Sequence, residues 1–297
     1  MPPAEITKRF RVSHGRKFRL ADIDPSDTCG IDIEKSEGKA LLAKGTKRLA
    51  ELQERLYAER QWAILVVLQG LDAAGKDSVI KHVMSEVNPQ GCDVHSFKAP
   101  TSDELDHDFL WRVAQRVPER GRIGIFNRSH YEECLVVRVH PEILAKQKLP
   151  PRLVSKNIWK ERFESICAFE RHLARNGIVV LKFHLRISKD EQRKRFLARL
   201  DDPNKRWKFN MGDVAERTLW PRYMAAYQDM VRKTSIKEAP WIVVPADHKW
   251  FARLLVSAAL IEALEKIDPK FPALAGHSPA DIKKVRAALE TEGRRGS

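Results

Sequence analysis

The sequence predicts an α/β protein in which helices cover both faces of a parallel β-sheet. Apolar runs typical of buried strands recur along the chain, and charge-rich or amphipathic stretches typical of helices separate them. The runs fall at 62–68, 94–97, 123–126, 178–185 and 241–244. Active sites of such sheets lie at the carboxyl ends of the strands, and polar motifs follow several of these runs.

The remaining elements have their own signals. Residues 1–33 are basic and irregular, which predicts an N-terminal extension lying on the core. Leucines at helical spacing within 34–61 predict an amphipathic helix that leads into the first strand. A short helix in the tail begins after Ser278, an N-cap residue. Further helices are predicted over 103–117, 155–175 and 189–200.

Length and composition fit a protein with a sizeable buried core, since 43% of the 297 residues are hydrophobic. The longest near-continuous apolar run, 63–68, is too short to cross a membrane, and the N-terminus lacks a signal-peptide core. We therefore expect a cytoplasmic protein with no membrane partner. Widely spaced cysteines indicate reduced thiols. The net charge of +14 favours a polyanionic partner: nucleic acid, an anionic surface or an inorganic polyanion.

A glycine-rich loop follows the first strand. A Gly, four residues and then Gly-Lys match the P-loop spacing, although Asp77 takes the usual Ser/Thr position. Backbone N–H groups, the Lys76 ammonium and the positive end of the next helix would all face one anion. A chance match in a flexible loop is the alternative, which the preceding strand disfavours. The predicted phosphate contacts are Gly70, Ala73, Ala74, Gly75, Lys76, Asp77 and Ser78.

A second motif spans 123–133. Asn127 stands where a P-loop enzyme normally carries a magnesium-holding Asp, and two carboxylates follow one helical turn later. Arg128 could grip a phosphate with two hydrogen bonds; an ordinary surface arginine beside a capped helix is the alternative. We predict metal ligation by Asp72, Glu132 and Glu133. Nucleotide contacts are predicted for Lys98, Asn127 and Arg128.

A third, strongly basic segment spans 186–208, with nine Lys or Arg against four acids. Arg195 and Arg199 lie four residues apart and share a helix face. The segment predicts a lid, at about 189–215, that closes cations over phosphate, with Lys208 as a further phosphate contact. A solvated basic face is the alternative that the spacing leaves open.

Taken together, these motifs resemble the polyphosphate kinase 2 family, P-loop enzymes that move phosphate between inorganic polyphosphate and nucleotides. Asp72 is a hallmark of that family's phosphate loop, and the Asn127 form resembles the subgroup acting on both AMP and ADP (class III). Glu133 departs from the expected Asp. The matching stretches are 70–77, 126–132, 194–199, 202–209 and 245–250.

The resemblance implies a P-loop kinase-like sheet with a helical lid, commonly in a homo-oligomer. The residue patterns and the resemblance together divide the chain into the extension 1–33, a phosphotransferase domain 34–268 and the tail 269–297. The expected reaction is a reversible, in-line transfer to AMP or ADP, with guanine nucleotides left open. Mg²⁺, or alternatively Mn²⁺, is the expected cofactor. The expected catalytic groups are Asp72, Lys76, Arg128, Arg195 and Arg199.

Two rival functions can be weighed from the sequence. An ATP-dependent nucleotide or nucleoside kinase of the thymidylate-kinase type shares the P-loop, but Asp72 and the excess of lid arginines argue against it. A basic nucleic-acid-binding protein is the other. Its stacking surfaces interleave aromatic platforms with the cations, and the basic clusters do not follow that pattern. We therefore expect no nucleic-acid partner.

Overall fold

The computed structural model describes residues 3–31, 35–274 and 278–295. A six-stranded sheet lies at its centre, in the order β1-β6-β5-β2-β4-β3. Strands β2 to β6 run parallel, and β1 pairs antiparallel with β6 at one edge. The strands are β1 Arg11–Val12, β2 Ala63–Gln69, β3 Cys92–Ser96, β4 Ile123–Asn127, β5 Ile178–Arg186 and β6 Trp241–Pro245. The predicted α/β class is confirmed.

Helices occupy both faces of the sheet. They are α1 Pro3–Phe10, α2 Lys35–Glu59, α3 Lys76–Val83, α4 Ser102–Asp106, α5 Trp111–Ala114, α6 Val136–Val139, α7 Pro141–Lys146, α8 Ile158–Arg175, α9 Lys189–Asp201, α10 Met211–Glu216, α11 Trp220–Thr234, α12 Lys249–Ile267 and α13 Pro279–Arg295. No helix within these described ranges is long and apolar enough to cross a bilayer.

Alternation along β2 explains why its sequence is apolar without interruption. Ile64, Val66 and Leu68 face the core formed with α1, α2, α3 and α12. Leu65 and Val67 face the opposite core, which α8 and α11 close. Both faces of this central parallel strand are buried, so residues 63–68 are apolar on both faces. The register pairs Leu68 with Asn127, which brings the ends of β2 and β4 side by side.

Within the predicted extension 1–33, the described residues 3–31 are more regular than the sequence predicts. Helix α1 packs on α12, with the rings of Phe10 and Phe251 5.9 Å apart. Arg11, in β1, forms a 2.7 Å ion pair with Glu262 of α12. A two-residue strand is too short to show a period in the sequence, so only its partners on β6 and α12 define it.

Several other helices differ from expectation. The helix predicted over 103–117 is two short helices, α4 and α5, because the chain turns to an extended conformation at His107. Helices α11 and α12 were not predicted. Helix α12 is apolar around most of its circumference and shows no amphipathic period, whereas α11 has such a period, which the sequence reading missed. Helix α13 begins after Ser278 as predicted but is longer, with 17 residues.

Candidate active site

The phosphate loop connects the end of β2 to the start of α3. Gly70 is required by close packing, because a Cβ atom there would lie 2.9 Å from the Leu185 carbonyl oxygen. Gly75 has a φ of 110°, and Ala73 a φ of 65°, both in the left-handed region. These turns bring the loop back to α3, whose first residue is Lys76. The predicted strand, loop and helix are therefore all present.

Lys76 is buried within this loop. Its Nζ donates to the carbonyl oxygens of Gly70 at 2.6 Å and Leu71 at 3.3 Å. Burial, helped by the Arg128 charge, lowers the pKa of Lys76 to about 8, although Asp72 partly opposes the shift. An anion placed beside this ammonium would favour its charged form. A phosphate bound in the loop would therefore stabilise the charged form of Lys76.

Arg128 joins the two predicted motifs. Its backbone is left-handed, with a φ of 64°, and its guanidinium lies between two carboxylates. Nη2 donates to Asp72 Oδ1 at 2.6 Å, and Nη1 donates to Glu132 Oε2 at 3.4 Å. Burial alone would lower the pKa of Arg128, but Glu132 and Asp72 outweigh it and raise the pKa. Asp72, Arg128 and Glu132 thus form one charged cluster beside Lys76.

The carboxylates of this cluster suit a hard divalent cation. Burial raises the pKa of Glu132, against the opposing pull of Arg128 and Lys76, so an added cation would stabilise its charged form. Oxygen ligands are those that Mg²⁺ prefers. Within the described ranges, no group of three or more His, Cys, Asp or Glu side chains is arranged to hold a metal by itself. Substrate oxygens or water would have to complete the coordination.

The Glu133 carboxylate has partners other than those of this cluster. Its carboxylate pairs with Arg162 and accepts a 2.7 Å hydrogen bond from Gln147 Nε2. The chain turns as a 3₁₀ helix over 130–134, so neighbouring residues point in different directions. The Glu133 carboxylate is therefore engaged by Arg162 and Gln147, although it lines the same cavity as Glu132. Of the three predicted metal ligands, only Asp72 and Glu132 share the Arg128 cluster.

The side chains of Asp77 and Asn127 form a hydrogen bond. Asn127 Nδ2 donates to Asp77 Oδ1 at 2.9 Å, and Lys208 Nζ lies 3.4 Å from Asp77 Oδ2. Burial opposes the shift, but Asn127 and Lys208 lower the pKa of Asp77. Ser78 Oγ accepts a 2.8 Å hydrogen bond from Arg253, a residue that the sequence did not single out. These contacts tie the start of α3 to β4 and to the lid.

Arg195 lies under the phosphate loop. Its Nη1 donates to the carbonyl oxygens of Ala73 and Ala74, both at 3.0 Å, and its Nη2 donates to those of Ala246 at 2.5 Å and Asp247 at 3.0 Å. Its Nε donates to a carboxylate four residues earlier at 2.7 Å. All five N–H donors are therefore occupied. These contacts favour a positioning role, and direct contact with the transferring phosphate stays a prediction.

Arg199, one turn later on α9, is much less restrained. Its guanidinium stacks 5.4 Å from the Phe196 ring centroid and lies 4.0 Å from Asp213. Lys208 lies over the Trp207 ring, whose residue is 77% exposed. The predicted lid cations Arg199 and Lys208 thus have few fixed partners.

Gln192 is a site residue that sequence reasoning missed. Its Nε2 donates to the Asp72 carbonyl oxygen at 2.9 Å, and its Oε1 accepts from Arg217 at 2.7 Å. Gln192 precedes Arg195 by three residues and Arg199 by seven, so it shares their helix face. That spacing was the available signal.

A cavity of about 420 Å³ opens beside Arg128 and Glu132. Phe97, Lys98 and Arg112 line it, with the Arg112 guanidinium 5.2 Å from the Phe97 ring centroid. Its volume falls in the range of small-molecule sites. The structure therefore places Lys98 and Arg128 around one cavity, while the Asn127 amide is directed to Asp77.

A glycine loop around a buried lysine, with an arginine–carboxylate cluster on the next strand, defines a P-loop phosphotransferase. Comparisons with known proteins narrow this class. The chain belongs to the polyphosphate kinase 2 family. The model of that family, Polyphosphate kinase 2 (PPK2), matches residues 32–272. The resemblance drawn from the motifs is confirmed.

Individual relatives agree over nearly the whole chain. The chain is 46% identical to the ADP-polyphosphate phosphotransferase of Rhodopseudomonas palustris, over 95% of this chain and 98% of the relative. It is 48% identical to the AMP/ADP-polyphosphate phosphotransferase of Meiothermus ruber, over 89% and 95% respectively. The crystal structure of Polyphosphate Kinase 2 from Arthrobacter aurescens TC1 matches with a TM-score of 0.87 at 42% identity, covering 97% of each chain.

Proposed function

We propose that this protein transfers the terminal phosphoryl group of inorganic polyphosphate to AMP, ADP or both, and that the reaction is reversible. The observation that carries the proposal is the Asp72–Arg128–Glu132 cluster beside the buried Lys76. Relatives named as phosphotransferases for polyphosphate and ADP, or AMP and ADP, share most of the chain. A plain ATPase would have little use for a carboxylate at position 72, inside its phosphate loop.

The donor would lie in the phosphate loop. Lys76 would exchange the carbonyl oxygens of Gly70 and Leu71 for phosphate oxygens, with loop amides binding the same group. Arg199 and Lys208 have few competing partners and could follow the chain outward from the loop. Such a row of cations holds a polyphosphate as a basic groove holds a nucleic-acid backbone.

The acceptor nucleotide would occupy the neighbouring 420 Å³ cavity. Phe97 contributes an apolar wall beside the base, and Lys98 and Arg112 offer positive charge for phosphate. Arg128 borders both this cavity and the loop, so it would contact donor and acceptor phosphates together. A nucleotide in this place would have its terminal phosphate directed toward Asp72.

Asp72 and Glu132 are the residues that would hold Mg²⁺, or Mn²⁺ in its place. When bound, the ion neutralises charge on the phosphate oxygens during transfer. The protein's own part is positioning and electrostatic stabilisation, with Lys76 and Arg128 as the fixed cations. A terminal nucleotide phosphate is already ionised at neutral pH, so no strong general base is required. Asp72 therefore acts as a positioning group.

Phosphorus NMR of the purified protein tests this function. AMP, ADP, GMP and GDP are each mixed with polyphosphate and Mg²⁺, and separately with ATP as the donor. The proposal predicts ADP or ATP formation from polyphosphate and adenine nucleotides. Turnover with ATP but none with polyphosphate would instead identify an ATP-dependent nucleotide kinase. Guanine acceptors, a homo-oligomer and a cytoplasmic location stay predictions.

A further inference from the structure

A buried polar network lies beneath the Arg128–Glu132 motif. At its centre is Lys182, in the middle of β5, with 0% of its side chain exposed. Its Nζ donates to Glu170 Oε2 at 2.6 Å, to the Tyr131 hydroxyl at 2.9 Å and to the Thr234 carbonyl oxygen at 2.7 Å. All three ammonium protons are therefore used. A buried charge is tolerated only when it is paired in this way.

Tyr131 connects this network to the site. Its hydroxyl donates to Glu170 Oε1 at 2.6 Å, and its ring packs edge-on against Trp241 at 4.8 Å between centroids. Tyr131 directly precedes Glu132 in the 3₁₀ turn. The Tyr131 ring is fully buried, whereas Glu132 borders the nucleotide-sized cavity. The fixed ring thus sets where the neighbouring carboxylate lies.

The backbone around Arg128 needs such an anchor. A non-glycine residue in the left-handed region is strained, and it persists only where the surroundings hold it. The Arg128 amide donates to the Leu68 carbonyl oxygen at 3.1 Å, which fixes one end of the turn to β2. Tyr131 fixes the other end to α8 and β5 through Glu170 and Lys182.

We propose that Tyr131, Glu170 and Lys182 are positioning residues that hold Arg128 and Glu132 against Asp72. The inference rests on the phosphotransferase function proposed above. Stability alone is a poor explanation for the network, because an apolar core of the same shape is often as stable as a buried ion pair. A fixed hydrogen-bond partner for the motif is something that an apolar core cannot supply.

The Tyr131→Phe variant tests the proposal, since it removes one hydroxyl and keeps the ring. We expect kcat to fall about 10-fold and the Mg²⁺ concentration for half-maximal rate to rise several-fold. KM for polyphosphate should stay within about twofold, because the phosphate loop is untouched. Ile166→Val is the matched control, because Ile166 is fully buried in the same hydrophobic core as Tyr131. We expect both substitutions to lower the melting temperature by about 2–4 °C, and Ile166→Val to leave kcat unchanged.

The double variant Glu170→Gln/Lys182→Met removes both charges but keeps an acceptor for the Tyr131 hydroxyl. Because Lys182 and the charged Glu170 no longer fix the Tyr131 ring, the proposal predicts a kcat about 10-fold below wild type, as in Tyr131→Phe. A wild-type kcat in this folded variant would overturn the role of Glu170 and Lys182. Wild-type kcat and Mg²⁺ dependence in Tyr131→Phe would overturn the proposal. A crystal structure of Tyr131→Phe gives a readout independent of turnover, and an unchanged Arg128–Asp72 contact in it would count against the positioning role. Failure of the proposed function is distinguishable from this, because the wild-type protein would then be inactive as well.

Discussion

The floor and the lid of this site are built in opposite ways. The floor comprises the phosphate loop, 70–78, and the motif 127–132; the lid comprises residues 189–215. In the floor, Lys76 and Arg128 are each bonded to groups of the protein. In the lid, Arg199 reaches its nearest carboxylate only at 4.0 Å, and Trp207 is largely exposed.

One helix shows the contrast within four residues. Arg195 belongs to the lid in sequence but to the floor in contact, because its donors are occupied by the loop and by the residues after β6. Arg199, on the next turn, lies over the Phe196 ring and 4.0 Å from Asp213. Preorganised charges cost no rearrangement when the transition state forms, whereas loosely held ones can follow a substrate as it enters. We infer that the floor performs the chemistry and the lid captures the polymer.

Removal of the Lys76 ammonium is the largest test of the floor. Lys76→Ala should lower kcat/KM with polyphosphate by at least about 10³-fold, because the fixed cation beside the transferring phosphoryl group is lost. Initial rates measured by phosphorus NMR or a coupled assay check it. Circular dichroism and the melting temperature serve as the folding control. Turnover near the wild-type value in a folded variant would contradict the assigned role.

The two arginines of α9 should separate floor from lid. Arg195→Met leaves several buried carbonyl groups unpaired, so we expect a loss of about 3 kcal/mol in unfolding free energy together with a large loss of activity. Arg199→Met should lower kcat/KM about 10²-fold with a nearly unchanged melting temperature. Urea unfolding and steady-state rates measure both effects. Equal destabilisation by the two substitutions would contradict the assignment of Arg195 to the floor and Arg199 to the lid.

The pKa of Lys76 gives the floor a pH signature. It is lowered from 10.5 to about 8, so the free enzyme loses this charge above about pH 8. We expect kcat/KM for polyphosphate to fall with a midpoint near pH 8, and Lys76→Arg to move that midpoint to higher pH. The unfolded chain binds more protons across the window from about 8 to 10.5, so stability relative to Lys76→Ala should rise with pH there. A flat profile in both experiments would contradict the shift.

The smallest expected effect belongs to the lid. Lys208 is partly exposed and lies 3.4 Å from Asp77, so Lys208→Gln should weaken polyphosphate binding by less than about 10-fold. The slope of log affinity against log salt should fall in magnitude by about 1, because one fewer counterion is released. Binding measured at several salt concentrations checks it. An unchanged slope would place Lys208 off the path of the polymer.

The sequence predicted the floor better than the lid for a physical reason. Strand β2, the glycine loop and Asn127 carry their signals within a few consecutive residues, and a parallel sheet necessarily brings the ends of its strands to one edge. The confirmed fold follows from those local signals. Helix α12 has no such local signal, because burial on most sides leaves no polar stripe from which a helical period could be recognised.

Contacts between side chains far apart in the sequence could not be predicted from the sequence. Arg195 bonds to Ala73, which lies 122 positions away, so its helix face could be read from spacing but not what that face meets. Glu133 was grouped with Glu132 by adjacency, yet Arg162 draws it in another direction. Both cases depend on which helix packs over the motif, and a period in the sequence does not contain that information.

A crystal structure of the wild-type protein with polyphosphate, without nucleotide, tests the division into floor and lid most directly. We expect a phosphate group at Lys76, with the Arg195 contacts to Ala73 and Ala246 unchanged. Arg199 and Lys208 should have left Asp213 and Asp77 for the polymer. An empty loop, or a polymer bound with Arg195 displaced and the lid unmoved, would contradict it.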